Sequence, residues 1–509
     1  MPGLYGQVDD EGNLRIPAEI ARALGLEPGA RVKLAQLRDR LVIHRPITRL
    51  ARIYIEPTTA CNLQCRTCMR NVWNEPIGHI EWATFSRILE TIRALDQPPT
   101  VFLGGLGEPL THPEFVRMVG EVKRSNAQVE AITNGMLLDE SRAEALIDAG
   151  LDTLWVSIDG ASPECYVDVR REGQWLRVME NLERLRDLKI RKRSTTPEIG
   201  VSFVAMRRNL AELPELLRLE HRIGARKFLV TNVYPHTPEL LDEVLYRRSI
   251  GESLWGRSTI RMARMDPDRR FAGILENVIQ GLYAPRLEGA ELLWPVDTCP
   301  FVARGSTCVR WDGAVSPCLP LLHTHASYLE NRLRTITAYT IGSVQERGLQ
   351  EIWVSPEYVA LRRRLEEFDF SPCTACNSCE KADENQEDCF GNTTPACGGC
   401  LWAHGFIQCP RGVCPPCAAW PIDTPIRRHG MEPVKVRVLH TAGCPATLAT
   451  VRLVESVARN LGIFIALEQI LVDTLAQAEA LAFLGSPTVQ VDGRDIEPEA
   501  RIRQDFGLA

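Results

Sequence analysis

The chain has 509 residues, 45% of them hydrophobic and 24% charged, and a net charge of −6; at roughly 150 residues per domain that length predicts three or four domains with real cores. So small a negative charge gives no field that would draw the whole chain to nucleic acid or to an anionic membrane. The opening MPGLYGQVDDEGN has neither a basic nor an apolar leader segment, and no apolar run approaches the roughly 18 residues that a membrane span needs, so the expectation is a cytoplasmic protein with no membrane partner.

Residues 1–48 read as short strands and turns around one small helix. Asp10-Glu11-Gly12 and Pro28-Gly29 are turn signals, and Pro17 suits a helix start. The stretch from Gly6 to Pro46 resembles the AbrB-like swapped-hairpin module, a family that intertwines as dimers and often binds DNA. Here Arg15, Arg22, Arg31, Lys33, Arg38, Arg40 and Arg45 are nearly matched by Asp9, Asp10, Glu11, Glu19, Glu27 and Asp39, so no phosphate-binding face stands out. A homodimer or partner contact through this module is preferred to DNA binding.

Over residues 50–285 strands and helices alternate, which argues for an α/β architecture with a parallel sheet covered by helices. RIYIE, TVFLG, QVEAIT, TLWVSI, IGVSFVA and KFLVTN are the expected strands. EWATFSRILETIRAL, PEFVRMVGEVK, ESRAEALIDAG, LRVMENLERLRDL and LAELPELLRLEHRIG carry helical periodicity between and after them. Six such repeats predict a partial (β/α)6 barrel, whose functional loops gather at the C-terminal ends of the strands. Residues 286–420 lose this alternation and are rich in Cys, Pro and Gly, so metal clusters are expected to hold them together. Residues 433–509 return to a βαβ pattern and resemble a thioredoxin-like domain, with Ser486-Pro487 a candidate cis bond. Cys444 there is followed by Pro445, Ala446 and Thr447 with no second cysteine, so a structural or docking role competes with dithiol exchange.

The chain holds 17 cysteines, and in a reducing compartment metal ligation explains so many better than disulfides do. The strongest pattern is Cys61-Asn62-Leu63-Gln64-Cys65-Arg66-Thr67-Cys68, directly after the first barrel strand. Three thiolates in one loop suit three irons of a 4Fe–4S cluster and leave the fourth open. A zinc knuckle is the competing reading, but structural zinc wants four closed ligands. On these residues the chain resembles the radical S-adenosylmethionine (SAM) superfamily. That resemblance implies reductive cleavage of SAM at the Cys61, Cys65, Cys68 cluster to a 5′-deoxyadenosyl radical, which abstracts hydrogen from a substrate.

The remaining rim loops follow in register. Gly104-Gly105-Leu106-Gly107-Glu108-Pro109 leaves the second strand, and its glycines let backbone approach a ligand closely. Thr133-Asn134-Gly135 leaves the third, Ser157-Ile158-Asp159-Gly160 the fourth, and Asn232 with Tyr234 the sixth. The resemblance implies SAM contacts from Gly104, Gly105, Gly107, Glu108, Asn134, Ser157, Asp159 and Asn232; taken singly, each polar residue is equally well read as a turn cap.

Cys299, Cys308 and Cys318, with Gly313 between the last two, and then Cys373, Cys376, Cys379, Cys389, Cys397, Cys400, Cys409, Cys414 and Cys417 resemble the SPASM extension of radical SAM maturases. That implies one or two auxiliary 4Fe–4S clusters ligated from Cys299, Cys308, Cys318, Cys373, Cys376, Cys379, Cys389, Cys397, Cys400 and Cys409. The gap from Cys379 to Cys389 is longer than that family's usual one, so individual thiolates are not assigned to clusters. CNLQCRTCMRNVWNEPIGHIEWATF, FLGGLGEPLTHPEF and DCFGNTTPACGGCLWAHGFIQCP together resemble maturases associated with tungsten-cofactor oxidoreductases. The implied partners are a tungsten oxidoreductase or its cofactor, and a low-potential donor such as ferredoxin or flavodoxin. Two other functions were weighed: a peptide- or sulfatase-modifying maturase, and an iron–sulfur DNA-binding redox regulator.

Overall fold

The computed structural model describes residues 5–26, 29–37, 40–246, 286–287, 299–376, 379–409, 434–444, 446–460, 465–491, 493–496 and 507. Pro28, Cys414 and Cys417 lie outside them, as does the side chain of Cys376. Two compact units divide the chain, Met1–Ala419 and Trp420–Ala509.

The first unit opens with two antiparallel hairpins, β1 (Gln7–Val8) with β2 (Leu14–Arg15) and β3 (Leu34–Leu37) with β4 (Arg40–Ile43), flanking helix α1 (Ala18–Leu24). Pro17 stands at the N-cap of α1, and Gly25 ends it in the left-handed region at φ 71°, a conformation that favours glycine.

The main sheet is parallel and in chain order through β5 (Arg52–Ile55), β6 (Thr100–Leu103), β7 (Val129–Thr133), β8 (Thr153–Ser157), β9 (Glu198–Ala205) and β10 (Ala225–Asn232). These are the six expected strands, almost wholly buried, as strands covered on both faces must be. Helices α2 (Trp82–Ala94), α3 (Phe115–Arg124), α4 (Glu140–Asp148), α6 (Trp175–Lys192) and α7 (Leu213–Ile223) cover them. Their apolar stripes supply core residues such as Phe85, Met118, Leu146, Leu182 and Leu217, none more than 1% exposed; each such side chain is worth about 1.5–3 kcal/mol of burial. A short helix not read from the sequence, α5 (Pro163–Val169), follows β8, with Ser162 Oγ accepting from the Cys165 amide and Pro163 in its first turn.

The sheet does not stop at the barrel. β11 (Arg286–Leu287) adds in parallel to β10, and β12 (Ser306–Val309) adds in parallel to the other edge at β5, setting Cys308 opposite Tyr54. β13 (Ala314–Ser316) and β16 (Gly342–Ser343) continue it antiparallel, while β14 (His325–Leu329) and β15 (Arg332–Ile336) form a separate hairpin. Helices α8 (Leu349–Trp353), α9 (Pro356–Glu367) and α10 (Cys373–Cys376) follow. Arg362 of α9 is fully buried, lies 3.6 Å from the Trp353 ring centroid and donates to the carbonyls of Ile47 and Trp353.

In the second unit β17 (Val434–His440) lies between parallel β18 (Ile465–Leu471) and antiparallel β19 (Thr488–Val491), which pairs with β20 (Arg494–Asp495). Helices α11 (Thr447–Asn460) and α12 (Leu475–Ala480) complete it, and Ser486–Pro487 is cis. No described helix is long and apolar enough to cross a membrane.

Candidate active site

Hydrogen bonds of its own residues shape the loop after β5. Thr58 Oγ1 donates to the Gly78 carbonyl at 2.9 Å and accepts from the Ala60 amide at 2.9 Å. Within the cysteine turn, the Cys68 amide donates to the Cys65 carbonyl at 3.1 Å, and Asn71 Nδ2 caps the same carbonyl at 2.9 Å. Burial raises the thiols of Cys61 and Cys68 above their ordinary value. Free thiols there stay protonated, and metal binding is what would deprotonate them. Among the described residues no three His, Cys, Asp or Glu side chains converge on a single metal ion. An iron–sulfur cluster takes each thiolate on a separate iron, and Cys61, Cys65 and Cys68 supply three of them from one turn.

The glycine loop is zipped to this turn: the Glu108 amide donates to the Ala60 carbonyl at 2.7 Å. Glu108 is 2% exposed, and its carboxylate accepts from Thr133 Oγ1 at 2.8 Å, the Asn134 amide at 2.7 Å and the Leu110 amide at 3.1 Å. Burial raises its pKa against these donors. Asn134 Nδ2 in turn donates to Asn62 Oδ1 at 2.9 Å and stands 3.9 Å from the Cys61 sulfur. Gly104, Gly105 and Gly107 leave no space: a Cβ would lie 2.5 Å from Ile132 Cγ2, 2.6 Å from Glu56 Cγ and 2.3 Å from the Thr58 carbonyl oxygen respectively.

Asp159 is fully buried; its Oδ1 accepts from the Val204 amide at 2.7 Å and its Oδ2 pairs with Arg170 at 2.7 Å. Arg170, at the C-cap of α5, also places Nη1 3.7 Å from the Cys65 sulfur. Cys61, Glu108 and Asn134 thus share one set of contacts, and Cys65, Arg170 and Asp159 share a second. Ser157 ends β8 half-buried. Asn232, at the end of β10, donates to the Phe406 carbonyl at 2.9 Å across to the auxiliary segment. Tyr234 and His236, just beyond it, pack against Trp402 and His325 of that segment, with ring centroids 5.0–5.9 Å apart.

The described later cysteines fall into two neighbourhoods. Burial, then the neighbouring sulfurs of Cys299, Cys308, Cys400 and Cys397, push the Cys318 thiol well above its ordinary value. Cys308 feels burial first and then Cys409, whose sulfur accepts from Trp402 Nε1 at 3.2 Å. Cys373, with Ser371 Oγ 2.9 Å from its sulfur, lies near Cys389, and exposed Cys379 and Cys389 both act on Lys381. Buried Arg334 ties the segments together, donating to the Ala382 and Gly399 carbonyls. Such soft donor sets fit iron–sulfur clusters.

Arg170, Glu56, His323 and His325 carry no motif, and nothing in the sequence singled them out. Arg170 becomes visible only through α5, and the two histidines only through the placement of the auxiliary segment over the barrel.

A family model described as the radical SAM superfamily matches residues 55–219, and one for an iron–sulfur cluster-binding domain, SPASM, matches residues 299–380. The chain is 30% identical over 363 residues to a tungsten-containing aldehyde ferredoxin oxidoreductase cofactor-modifying protein of Pyrococcus furiosus, covering 70% of this chain and 96% of that one. This chain belongs to the radical SAM superfamily. It is a radical SAM/SPASM enzyme that uses a 4Fe–4S cluster with SAM and carries auxiliary iron–sulfur clusters. A PqqA peptide cyclase of Gluconobacter oxydans is 26% identical over 365 residues, covering 67% of this chain and 88% of that protein. The crystal structure of Streptococcus suis SuiB bound to precursor peptide SuiA is 15% identical, with a TM-score of 0.45 over 64% of this chain and 70% of that chain.

Proposed function

We propose that this radical SAM enzyme matures a tungsten-containing aldehyde oxidoreductase-type partner, acting on its cofactor or its polypeptide. The observation that carries the reading is the similarity along 96% of the Pyrococcus furiosus cofactor-modifying protein, which includes the cysteine-rich segment as well as the barrel. Cys61, Cys65 and Cys68 would hold the cluster, which would supply the electron for reductive cleavage of SAM.

The protein's own part is placement. Glu108 fixes the third rim loop to the glycine loop through the Asn134 amide and Thr133 Oγ1, so that the SAM-facing backbone is set before binding. Asn134 and Arg170 bring N–H donors to the cysteine sulfurs, and such donors set a cluster's potential. Tyr234, Trp402, His236 and His325 pack their rings together where the end of β10 meets the auxiliary segment. The buried neighbourhood of Cys299, Cys308, Cys318, Cys397, Cys400 and Cys409 and the more exposed one of Cys373, Cys379 and Cys389 hold the auxiliary clusters, and a ferredoxin or flavodoxin supplies the electron. The N-terminal module serves a homodimer contact and the thioredoxin-like C-terminal unit serves docking; in the latter, the Ser486 hydroxyl holds the Cys444 thiol below its ordinary value.

A second reading, a peptide-modifying maturase, draws on the similarity that covers 88% of the Gluconobacter oxydans peptide cyclase. Anaerobic reconstitution with dithionite and SAM, followed by mass measurement on an oxidoreductase partner, its pterin cofactor and a precursor peptide, separates the two. A mass change on the partner or cofactor supports the first reading, and one confined to the peptide supports the second. Absence of 5′-deoxyadenosine overturns both.

A further inference from the structure

His323 lies between Leu321 and strand β14, in the auxiliary segment, yet both of its ring nitrogens face the barrel. Nε2 stands 2.8 Å from Glu56 Oε2, and Nδ1 meets Glu75 Oε2. His323 and Glu56 have fully buried side chains, while Glu75 is 23% exposed. An imidazole whose two nitrogens both meet carboxylate oxygens must donate from both, so the ring is a cation clamped between two anions. The Trp73 ring lies edge-on at 4.6 Å, and the Thr324 amide donates to Glu75 Oε1 at 3.1 Å, which fixes the second carboxylate in turn. Arg310, itself paired with Asp312, approaches Glu75 at 3.9 Å.

The two anions lead to different parts of the candidate SAM site. Glu75 belongs to the loop that continues from Cys68. Glu56 directly follows β5, and its Oε1 accepts from the Leu106 amide, in the middle of the glycine loop, at 3.2 Å. Its side chain also fills the space where Gly105 has no Cβ. One imidazolium contributed from beyond the barrel therefore fixes both the glycine loop and the loop that follows the cluster cysteines.

We propose that His323 is a positioning residue for SAM: through Glu56 it fixes Gly104–Gly107, and through Glu75 the loop after Cys68, so that the auxiliary-cluster segment and the SAM site are energetically coupled. This rests on reading the glycine loop as the SAM site. Without the cation, Glu56 is a buried carboxylate held by one backbone amide, a costly state that the chain relieves by moving the loop. SAM binding then has to restore the loop, and affinity falls while the chemistry, once SAM is bound, is spared.

The test uses the full-length, anaerobically reconstituted protein. SAM affinity is read from the change that SAM makes in the paramagnetic spectrum of the dithionite-reduced cluster, and 5′-deoxyadenosine formation is followed against SAM concentration. His323→Gln is expected to weaken SAM binding about tenfold, within the roughly 5- to 150-fold that couplings between sites span, with turnover at saturating SAM changed far less. Should His323→Gln fail to retain wild-type iron content, Glu75→Gln, at the solvent-facing end of the clamp, decides by a weakening in the same direction. Unchanged SAM affinity in whichever variant decides overturns the clamp and leaves the reading of the glycine loop standing. Wild-type protein that forms no 5′-deoxyadenosine overturns that reading and takes the clamp with it.

Discussion

Arg170 places Nη1 3.7 Å from the sulfur of Cys65 while its Nε and Nη2 both stand 2.7 Å from Asp159 Oδ2. The Arg170 side chain is 13% exposed and that of Asp159 fully buried, so neither charge is well served by water. Arg170→Gln leaves the Asp159 carboxylate without its counter-ion, and breaking a buried pair in this way costs about 3–5 kcal/mol. Anaerobic thermal unfolding is expected to show a large loss for Arg170→Gln and a smaller one for the double variant with Asp159→Asn, in which no charge is stranded. Removing the cation also favours the oxidised cluster, so a redox titration should find its potential lowered; an unchanged potential would show that the guanidinium does not act on Cys65.

Replacing Cys61, Cys65 and Cys68 together by alanine tests the cluster assignment. The later cysteines sit in separate neighbourhoods, so the triple variant is expected to keep auxiliary iron and lose 5′-deoxyadenosine formation. Iron content and product yield are measured side by side. Wild-type product yield in the triple variant would remove these cysteines from the reaction.

The six barrel strands were legible because each is short, mostly apolar and rich in β-branched or aromatic residues, and the cysteine turn because its spacing carries its own chemistry. Helix α5 was not, since PECYVDV is short and has no periodic apolar stripe, and Arg170 at its end was missed with it. Asn232 was legible as the end of β10, but its bond to the Phe406 carbonyl, 174 residues on, was not. His323 and Glu56 are 267 residues apart; no local pattern ties them, because a contact between the barrel and the auxiliary segment exists only once the chain has folded.

Two buried rings give the protein an acid-sensitive component. Burial holds His236 and His325 down to about 4, from an ordinary value of 6.5, against hydrogen bonds from Nδ1 to the Ala326 and His323 carbonyls. The unfolded chain takes up these protons below pH 6.5 and the folded chain only near pH 4, so stability is lost as pH falls between the two, on the order of 3 kcal/mol per ring at most. His323 acts in the opposite sense: burial works against its protonation, but Glu56 and Glu75 raise it, so its contribution is full below pH 6.5 and is lost as pH rises through its folded value. Unfolding free energies measured from pH 6.5 to 4 should therefore fall more steeply for the wild type than for a His236→Gln, His325→Gln double variant. Parallel curves would mean that these rings are not held neutral.

Gly107 gives the sharpest steric test of how the two rim loops depend on each other. A Cβ there would lie 2.3 Å from the Thr58 carbonyl oxygen and 2.6 Å from that of Ala60. Neither oxygen yields cheaply: both are backbone, and the Ala60 carbonyl already accepts from the Glu108 amide at 2.7 Å and Thr111 Oγ1 at 3.3 Å. Gly107→Ala must therefore push the glycine loop away from the cysteine turn, and a misplacement approaching 1 Å costs on the order of 100-fold in rate. Gly120→Ala on α3 is the control, because its Cβ meets nothing nearer than the Arg124 guanidinium at 4.0 Å, and alanine stabilises a helix by roughly 0.5–1 kcal/mol over glycine. The expected outcome is a severe loss of 5′-deoxyadenosine formation in Gly107→Ala with auxiliary iron retained, and wild-type formation in Gly120→Ala. If the two variants turn over alike, close contact between the loops is not what sets the site.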